Sequence, residues 1–324
     1  MKAIVVTEPG GPETLRIADV PEPEVRPGYV LLDVRATALN RADLLQRRGV
    51  YPPPRGESEI LGLECSGVVV RATGTTLREG DRVMALLPGG GYAERVAIPE
   101  KMAIPIPDGM SFEDAAAIPE AFLTAREALF TLGGTQPGAV VLIHAAAGGV
   151  GSAAVQLAKA AGAKVVATAG RKDKLDAVRG LGADVVVDYK ADDFAPAALA
   201  ASDGKGVDVV LDFVGGAYWP KHAQCLAVGG RVVVIGVMGG ANAEVNLAQL
   251  LMRRYQILGL VMRTRPVEDK VRITQTFIRE SLPSFATGAL RPLVDSVFPL
   301  ADAAKAHVRM EANDNVGKLV LTLS

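Results

Sequence analysis

Residues 140–175 read "VVLIHAAAGGVGSAAVQLAKAAGAKVVATAGRKDKL", and this stretch decides the fold. An apolar run, VVLIH, leads into a small-residue turn, an alanine-rich helical pattern, a second apolar run and a basic cluster. Strand, glycine turn, helix and strand in that order make a dinucleotide-binding unit, whose usual turn is G-x-G-x-x-G. Here the small positions are Ala145, Gly148 and Gly151, giving A-x-x-G-x-x-G. The extra residue spreads the bend, so alanine is tolerable at the first position. Gly148 stands where backbone approaches a phosphate, and Gly151 where helix and strand pack closely. Ala147, Gly148, Gly149, Val150 and Gly151 open the helix, and its N-terminal amides suit an anion.

The end of the second run selects the nucleotide. An NAD site usually carries Asp or Glu there for the ribose 2′-hydroxyl. This chain has Gly170, Arg171, Lys172 and Lys174. Cations at a helix start oppose the macrodipole, a local cost that favours a functional reason for them. A 2′-phosphate supplies one, through charge-assisted hydrogen bonds. The expected cofactor is NADPH, with Gly170, Arg171 and Lys174 on the phosphorylated ribose.

Outward from this unit the alternation continues. Apolar runs at 184–188, 207–213, 231–236 and 256–261, most of them separated by helical patterns, predict six parallel strands covered on both faces. Residues 123–263 thus form a Rossmann-type, doubly wound sheet. Residues 1–122 instead show short strands broken by Pro and Gly, with one helical segment, RADLLQRRG. Residues 264–324 return to helix and short strand, and are expected to complete the first domain. The fold class is α/β, a small β domain interrupted by the Rossmann unit.

The bulk properties narrow the partners. A chain of 324 residues with 49% hydrophobic and 22% charged content has a sizeable core, and its net charge of −1 gives no field for nucleic acid or an anionic membrane. The N-terminal apolar run is too short for a signal peptide, and no run reaches membrane-spanning length. Two cysteines, Cys65 and Cys225, exclude a disulfide framework and read as buried thiols. The expected location is cytoplasmic.

The segments "ALNRADLLQRRGVYPPP", "ILGLECSGVV", "LLPGGGYAERV", "AAAIPEAFLTAREAL" and the glycine turn, in this order, resemble the medium-chain dehydrogenase/reductase superfamily. The likeness extends to "NVGKLVLTLS" at the end and is greatest for its zinc-free quinone oxidoreductase branch, which includes zeta-crystallin and the tumour-suppressor-inducible type. It implies a GroES-like β domain, a Rossmann domain, NADPH, and a cleft between the domains for a quinone substrate. Zinc-dependent members use a Cys in the segment matching ALNRAD and a His in that matching GLECSG. Here those segments offer Asn40 and Leu63, with Glu64 beside it, so no metal is expected.

Without a metal the acceptor must be electrophilic enough to be reduced unaided, as quinones and enones are. By the resemblance, Asn40, Asp43 and Tyr51 face the substrate, Tyr51 being best suited to bond the acceptor oxygen. Asn40 and Asp43 equally suit a helix cap and first-turn acid. Thr124 is implied near the nicotinamide side and Tyr189 over the adenine. Phe213, Gly236, Met238, Val261 and Arg263 follow successive strands at the carboxyl edge, and Asn315 and Lys318 resemble the tail that closes over the cofactor. The expected function is metal-free NADPH-dependent quinone reduction, by hydride or single-electron transfer. An NADPH-dependent 2-alkenal or enone reductase is the alternative, and a crystallin-like or RNA-binding role a distant one. The apolar sixth strand, otherwise an open edge, predicts a homodimer or a tetramer.

Overall fold

The computed structural model describes residues 1–74 and 76–323. The chain divides into two compact units, Met1–Leu123 with Met262–Ser324, and Thr124–Val261.

The first unit begins with β1 (Lys2–Val6), β2 (Leu15–Asp19), β3 (Tyr29–Ala38), α1 (Arg41–Arg47), β4 (Glu64–Ala72), β5 (Arg82–Leu86), β6 (Arg95–Pro99), β7 (Ile104–Pro105) and α2 (Phe112–Ala116). Helix α3 (Pro119–Arg126) then leads into the second unit. That unit holds β8 (Val140–Ile143), α4 (Gly149–Ala160), β9 (Lys164–Ala169), α5 (Lys172–Gly180), β10 (Val185–Asp188) and α6 (Phe194–Ala201). It continues with β11 (Val207–Asp212), α7 (Trp219–Cys225), β12 (Leu226–Val234), α8 (Leu247–Arg253) and β13 (Gln256–Gly259). The chain returns to the first unit with α9 (Val267–Glu280), α10 (Pro283–Ala286), β14 (Val294–Pro299), α11 (Ala303–Glu311) and β15 (Lys318–Thr322).

In the first unit one sheet runs β14-β15-β3-β4-β5-β7, with β6 also on β3, and β1-β2 form a separate pair. Strand β3 lies inside the sheet and buries residues on both faces, among them Val30, Leu31, Leu32, Val34, Ala36 and Ala38. Its apolar sequence, YVLLDVRATA, follows from that position: a central strand meets protein on either side. The tail strand β15 pairs antiparallel with β3 and parallel with β14. Residues 318–322 therefore complete the sheet that residues 29–38 begin.

The second unit is one six-stranded parallel sheet in the order β10-β9-β8-β11-β12-β13. The order reverses between β8 and β11, the switch point outside which ligands bind in such sheets. Its core includes Leu142, Val166, Val187, Val210, Val232, Phe194 and Trp219.

Three details differ from the sequence reading. Helix α6 falls in DDFAPAALAASDG, a segment not among the helical patterns of the sequence. Pro196 is tolerated there because it lies in the first turn, where amides lack helical partners, and Asp193 caps the helix by accepting from Ala195 N at 3.0 Å. Strand β12 starts five residues earlier than its apolar run. The bend at Ala145 is not spread out but concentrated, since Ala145 itself has φ 45°, a left-handed conformation that an L-residue adopts at a cost.

Candidate active site

In the second unit, the turn after β8 wraps back on itself: Gly148 N donates to Ala145 O at 2.9 Å, and Gly148 is the extended N-cap of α4. The first helical bond from this turn is Ser152 N to Gly148 O, 2.8 Å. The amides of Gly149, Val150 and Gly151 therefore lack an intrahelical acceptor, and the first two residues are partly exposed. A Cβ at Gly151 would run into the Ala145 carbonyl oxygen and Ala146 Cα, and one at Gly148 would come within 3.3 Å of that oxygen. These close approaches account for glycine at both positions, and the donor-lined turn fits a dinucleotide pyrophosphate.

At the end of β9 the ring of Tyr189 lies over Gly170, where a Cβ would meet its Cζ at 2.6 Å. Two positions expected at the adenosine end are thereby neighbours, and Tyr189 is 42% exposed. The Arg171 guanidinium is held in two bonds by Asp173, Nε to Oδ1 at 2.6 Å and Nη2 to Oδ2 at 2.7 Å. The sequence reading counted the cations here and passed over this carboxylate. Lys174 lies in the first turn of α5, partly exposed.

Phe213, Gly236 and Met238 form one group beyond β11 and β12: Met238 N donates to Phe213 O at 3.1 Å, the distance a Gly236 Cβ would also reach. Val261 lies past the end of β13 and is half exposed. The Thr124 hydroxyl is buried with no hydrogen-bond partner, an orphaned group that a bound ligand would satisfy.

His144 and His222 are core residues of this unit. Their Nε2 atoms are 2.9 Å apart, His144 Nδ1 is 2.9 Å from Thr168 Oγ1, and Phe194 packs edge-on against His144. Burial keeps both neutral.

The first unit gathers a second polar cluster. The Lys318 ammonium contacts Glu64 Oε1 at 2.7 Å, Asn40 Oδ1 at 2.6 Å and Leu39 O at 2.7 Å. Its three protons are thus engaged inside this unit. Its charge is matched by the buried Glu64. Glu64 also accepts from Asn40 Nδ2 at 3.0 Å and from Glu120 N at 2.8 Å. Asn315 donates to Gly317 O at 2.6 Å, shaping the turn before β15.

Asp43 is fully buried and accepts from Asn40 N at 2.7 Å and Gly62 N at 3.0 Å, so it serves as the first-turn acid of α1. Tyr92 and the buried Arg47 hold His307 from either side, Tyr92 Oη 3.2 Å from Nε2 and Arg47 Nη1 3.0 Å from Nδ1. Because arginine only donates, Nδ1 accepts and Nε2 carries the proton. Burial raises the Asp43 carboxyl to about 6.

Arg263 lies in this first unit as well. Its guanidinium donates to Pro88 O at 2.7 Å, Tyr51 O at 3.2 Å and Gln46 Oε1 at 2.6 Å, and it stacks 5.3 Å from the Tyr51 ring. Tyr51 is partly buried, and burial raises its phenol above the usual value. The sequence reading did not single out Glu120 and mentioned Glu64 only in passing. The available signal was a lone glutamate in the apolar run ILGLECSGVV and a lone lysine in KLVLTL, since a charge inside a core strand needs a partner.

Two family models match: an alcohol dehydrogenase GroES-like domain over residues 26–108 and a zinc-binding dehydrogenase domain over residues 149–276. The chain is 35% identical to a quinone oxidoreductase of Pseudomonas aeruginosa, with 96% of each covered. It is 34% identical to part of a phenolphthiocerol/phthiocerol polyketide synthase of Mycobacterium tuberculosis, spanning 98% of this chain but 14% of that protein. Among solved structures, a mycobacterial protein complexed with NADPH matches with TM-score 0.87 at 31% identity, over the whole of both chains. CurK enoyl reductase matches with TM-score 0.88 at 29% identity, over 100% of this chain and 99% of that one.

The zinc that one model's description implies does not fit these residues. Asn40 is an amide bound between Lys318 and Glu64, Leu63 is apolar, and Glu64 is already neutralised by Lys318. Among the described residues, no group of three or more His, Cys, Asp or Glu could hold a metal ion.

Proposed function

The chain belongs to the medium-chain dehydrogenase/reductase superfamily, and from that premise we propose that it is an NADPH-dependent reductase of quinones. The observation that carries the reading is the pairing of an open, donor-lined glycine turn with a basic α5 start. The amides of residues 149–151 would hold the pyrophosphate, Arg171 and Lys174 the 2′-phosphate, and Tyr189 the adenine. Thr124 would give its hydroxyl to the nicotinamide side. Bound NADPH supplies a hydride, two electrons with one hydrogen.

The chain's own groups then have three tasks: to orient the acceptor, exclude water and meet the charge that develops on its oxygen. Tyr51 has a hydroxyl without a protein partner among the described residues and stays protonated, so it suits a hydrogen bond to that oxygen. Asn40 and Asp43 act at one remove by fixing the start of α1. With no metal ligand set to stabilise an alkoxide, acceptors whose reduced form is resonance-stabilised are favoured, which supports quinones and conjugated enones over simple ketones.

An enone or 2-alkenal reductase is the second reading, supported by the likeness to an enoyl reductase. Stopped-flow oxidation of NADPH with quinones of rising bulk and with short enals tests both. Rapid reaction with quinones is expected; rapid reaction with enals alone would promote the second reading. Two buried free thiols, Cys65 and Cys225, suit a reducing compartment such as the cytoplasm. Among the described residues no helix is long and apolar enough to cross a membrane.

A further inference from the structure

The six strands of the second unit run in one direction, so the glycine turn stands at their carboxyl ends and the amino ends form the opposite edge. A cavity of about 420 Å³ opens at that opposite edge, within the range of small-molecule sites, about 300–1,000 Å³. Its wall includes residues 133–136 before β8, Asp208 at the start of β11 and residues 228–231 on β12. Every residue lining it belongs to the second unit.

A register shift builds this recess. Val207 pairs with Leu226 and Val209 with Arg231, so residues 227–230 bulge out opposite Asp208 alone. The Arg231 guanidinium lies on Gly134, where a Cβ would come within 2.4 Å of Nη1 and 3.2 Å of Cζ. Nη1 donates to Leu132 O at 3.0 Å, which fixes the group at the wall. Its Nε and Nη2 have no protein acceptor among the described residues. Asp208 is exposed, and its Oδ2 accepts from Val140 N at 2.8 Å. Its Oδ1 has no protein donor among the described residues. The two charges share one cavity, yet no ion pair joins them. Thr135, also on the wall, keeps a buried hydroxyl with no hydrogen-bond partner, which marks this corner as incompletely satisfied.

We propose that this cavity is a binding site for a small zwitterion, of which the free amino acids are the simplest class. A lone carboxylate would meet the guanidinium but lie in the repelling field of Asp208. A lone ammonium would face the reverse. A ligand with both charges answers both walls, its carboxylate on Arg231 Nε and Nη2 and its ammonium on Asp208 Oδ1. Because the protein holds the opposite charges apart, they also set which way round the ligand lies. The site is separate from the nucleotide turn and stands whether or not the chain reduces quinones.

Saturation-transfer NMR on the full chain tests this with the standard amino acids, each at about 10 mM, and with acetate and ethylamine as single-charge controls. At least one amino acid is expected to bind with a Kd of about 1 mM, and both controls about tenfold more weakly or worse. Arg231→Met and Asp208→Asn should each weaken that amino acid about tenfold or more, with circular dichroism as in wild type. Asp208→Asn keeps an acceptor for Val140 N, so it remains informative even where Arg231→Met folds poorly. On titration the amide signals of residues 133–136 and 228–231 should shift. No amino acid binding, binding that Asp208→Asn leaves unchanged, or shifts confined to other residues would each overturn the proposal. Acetate binding as tightly as the best amino acid would overturn it too, leaving a plain anion site.

Discussion

Lys318 on the last strand and Glu64 on β4 form an ion pair of 2.7 Å with both side chains out of water. A pair like this matters less for its net worth than for the cost of breaking it, because removing one partner leaves a buried charge uncompensated. Lys318→Met should destabilise the protein by about 3–5 kcal/mol, measured by urea unfolding. Adding Glu64→Gln should recover most of that loss. A single variant as stable as wild type would contradict the pairing.

The pH dependence of stability has a definite sign. Glu120 is held at about 8 in the fold against 4.5 outside it, and Asp43 at about 6 against 3.8. For a carboxyl raised by folding, stability is fully present below the unfolded value and lost as pH rises through the folded one. His144, His222 and His307 are depressed by burial, so they act only below about 6.5. Between pH 6.5 and 8 Glu120 therefore dominates, and melting temperature should fall across that window. Glu120→Gln should flatten the fall, matching wild type at pH 4 and exceeding it at pH 9.

The Arg171–Asp173 pair bears on cofactor choice. If Arg171 and Lys174 hold the 2′-phosphate, Asp173 competes with it for the guanidinium and adds a repelling charge. Asp173→Ala should then tighten NADPH binding about threefold to tenfold, whereas Lys174→Ala should weaken it about ten- to hundredfold. Titration calorimetry with NADH should show little change in either variant. Equal effects on both nucleotides would remove the basic cluster from the site.

Ala145 stores strain at the turn. Ala145→Gly relieves a left-handed alanine and should stabilise the protein, by about 0.5–1 kcal/mol net of the greater freedom of glycine when unfolded. Gly151→Ala should do the reverse, pushing α4 off the Ala145 carbonyl and weakening nucleotide binding. Thermal melts with and without NADPH separate the two effects.

The edge strand β13 and the neighbouring α8 leave Ile257, Leu247, Leu251 and Met252 exposed, the last three by more than 70%. A parallel edge flanked by so much apolar surface is suited to a second copy of the chain. Light scattering at micromolar concentration should give a dimer, and Leu251→Lys should shift it towards monomer. A monomeric wild type would dismiss this interface.

The sheet was legible where its signal is local. β8, α4 and β9 follow from an apolar run, small residues and a second apolar run, and Gly148 and Gly151 from their spacing. Helix α6 was not, because a proline in its first turn and a polar flank look like a loop. The polar cluster was half legible. Asn40 and Asp43 stand out at a helix start, but Lys318 and Glu64, the partners of Asn40, come from distant strands, and local pattern carries no record of pairing across such a distance. Asp173 was overlooked because three cations surround it, although one short contact to Arg171 alters what that cluster can bind.

Lys318 and Leu39, joined by a hydrogen bond, are separated by 279 positions along the chain. During synthesis β3 leaves the ribosome long before β15, its neighbour in the sheet, has been made. The parallel sheet in between can close meanwhile, so the portion translated first is the last to be finished. A ribosome halted shortly before the final strand would carry one folded body and one sheet with an unfilled slot, a state that chaperones would have reason to shield.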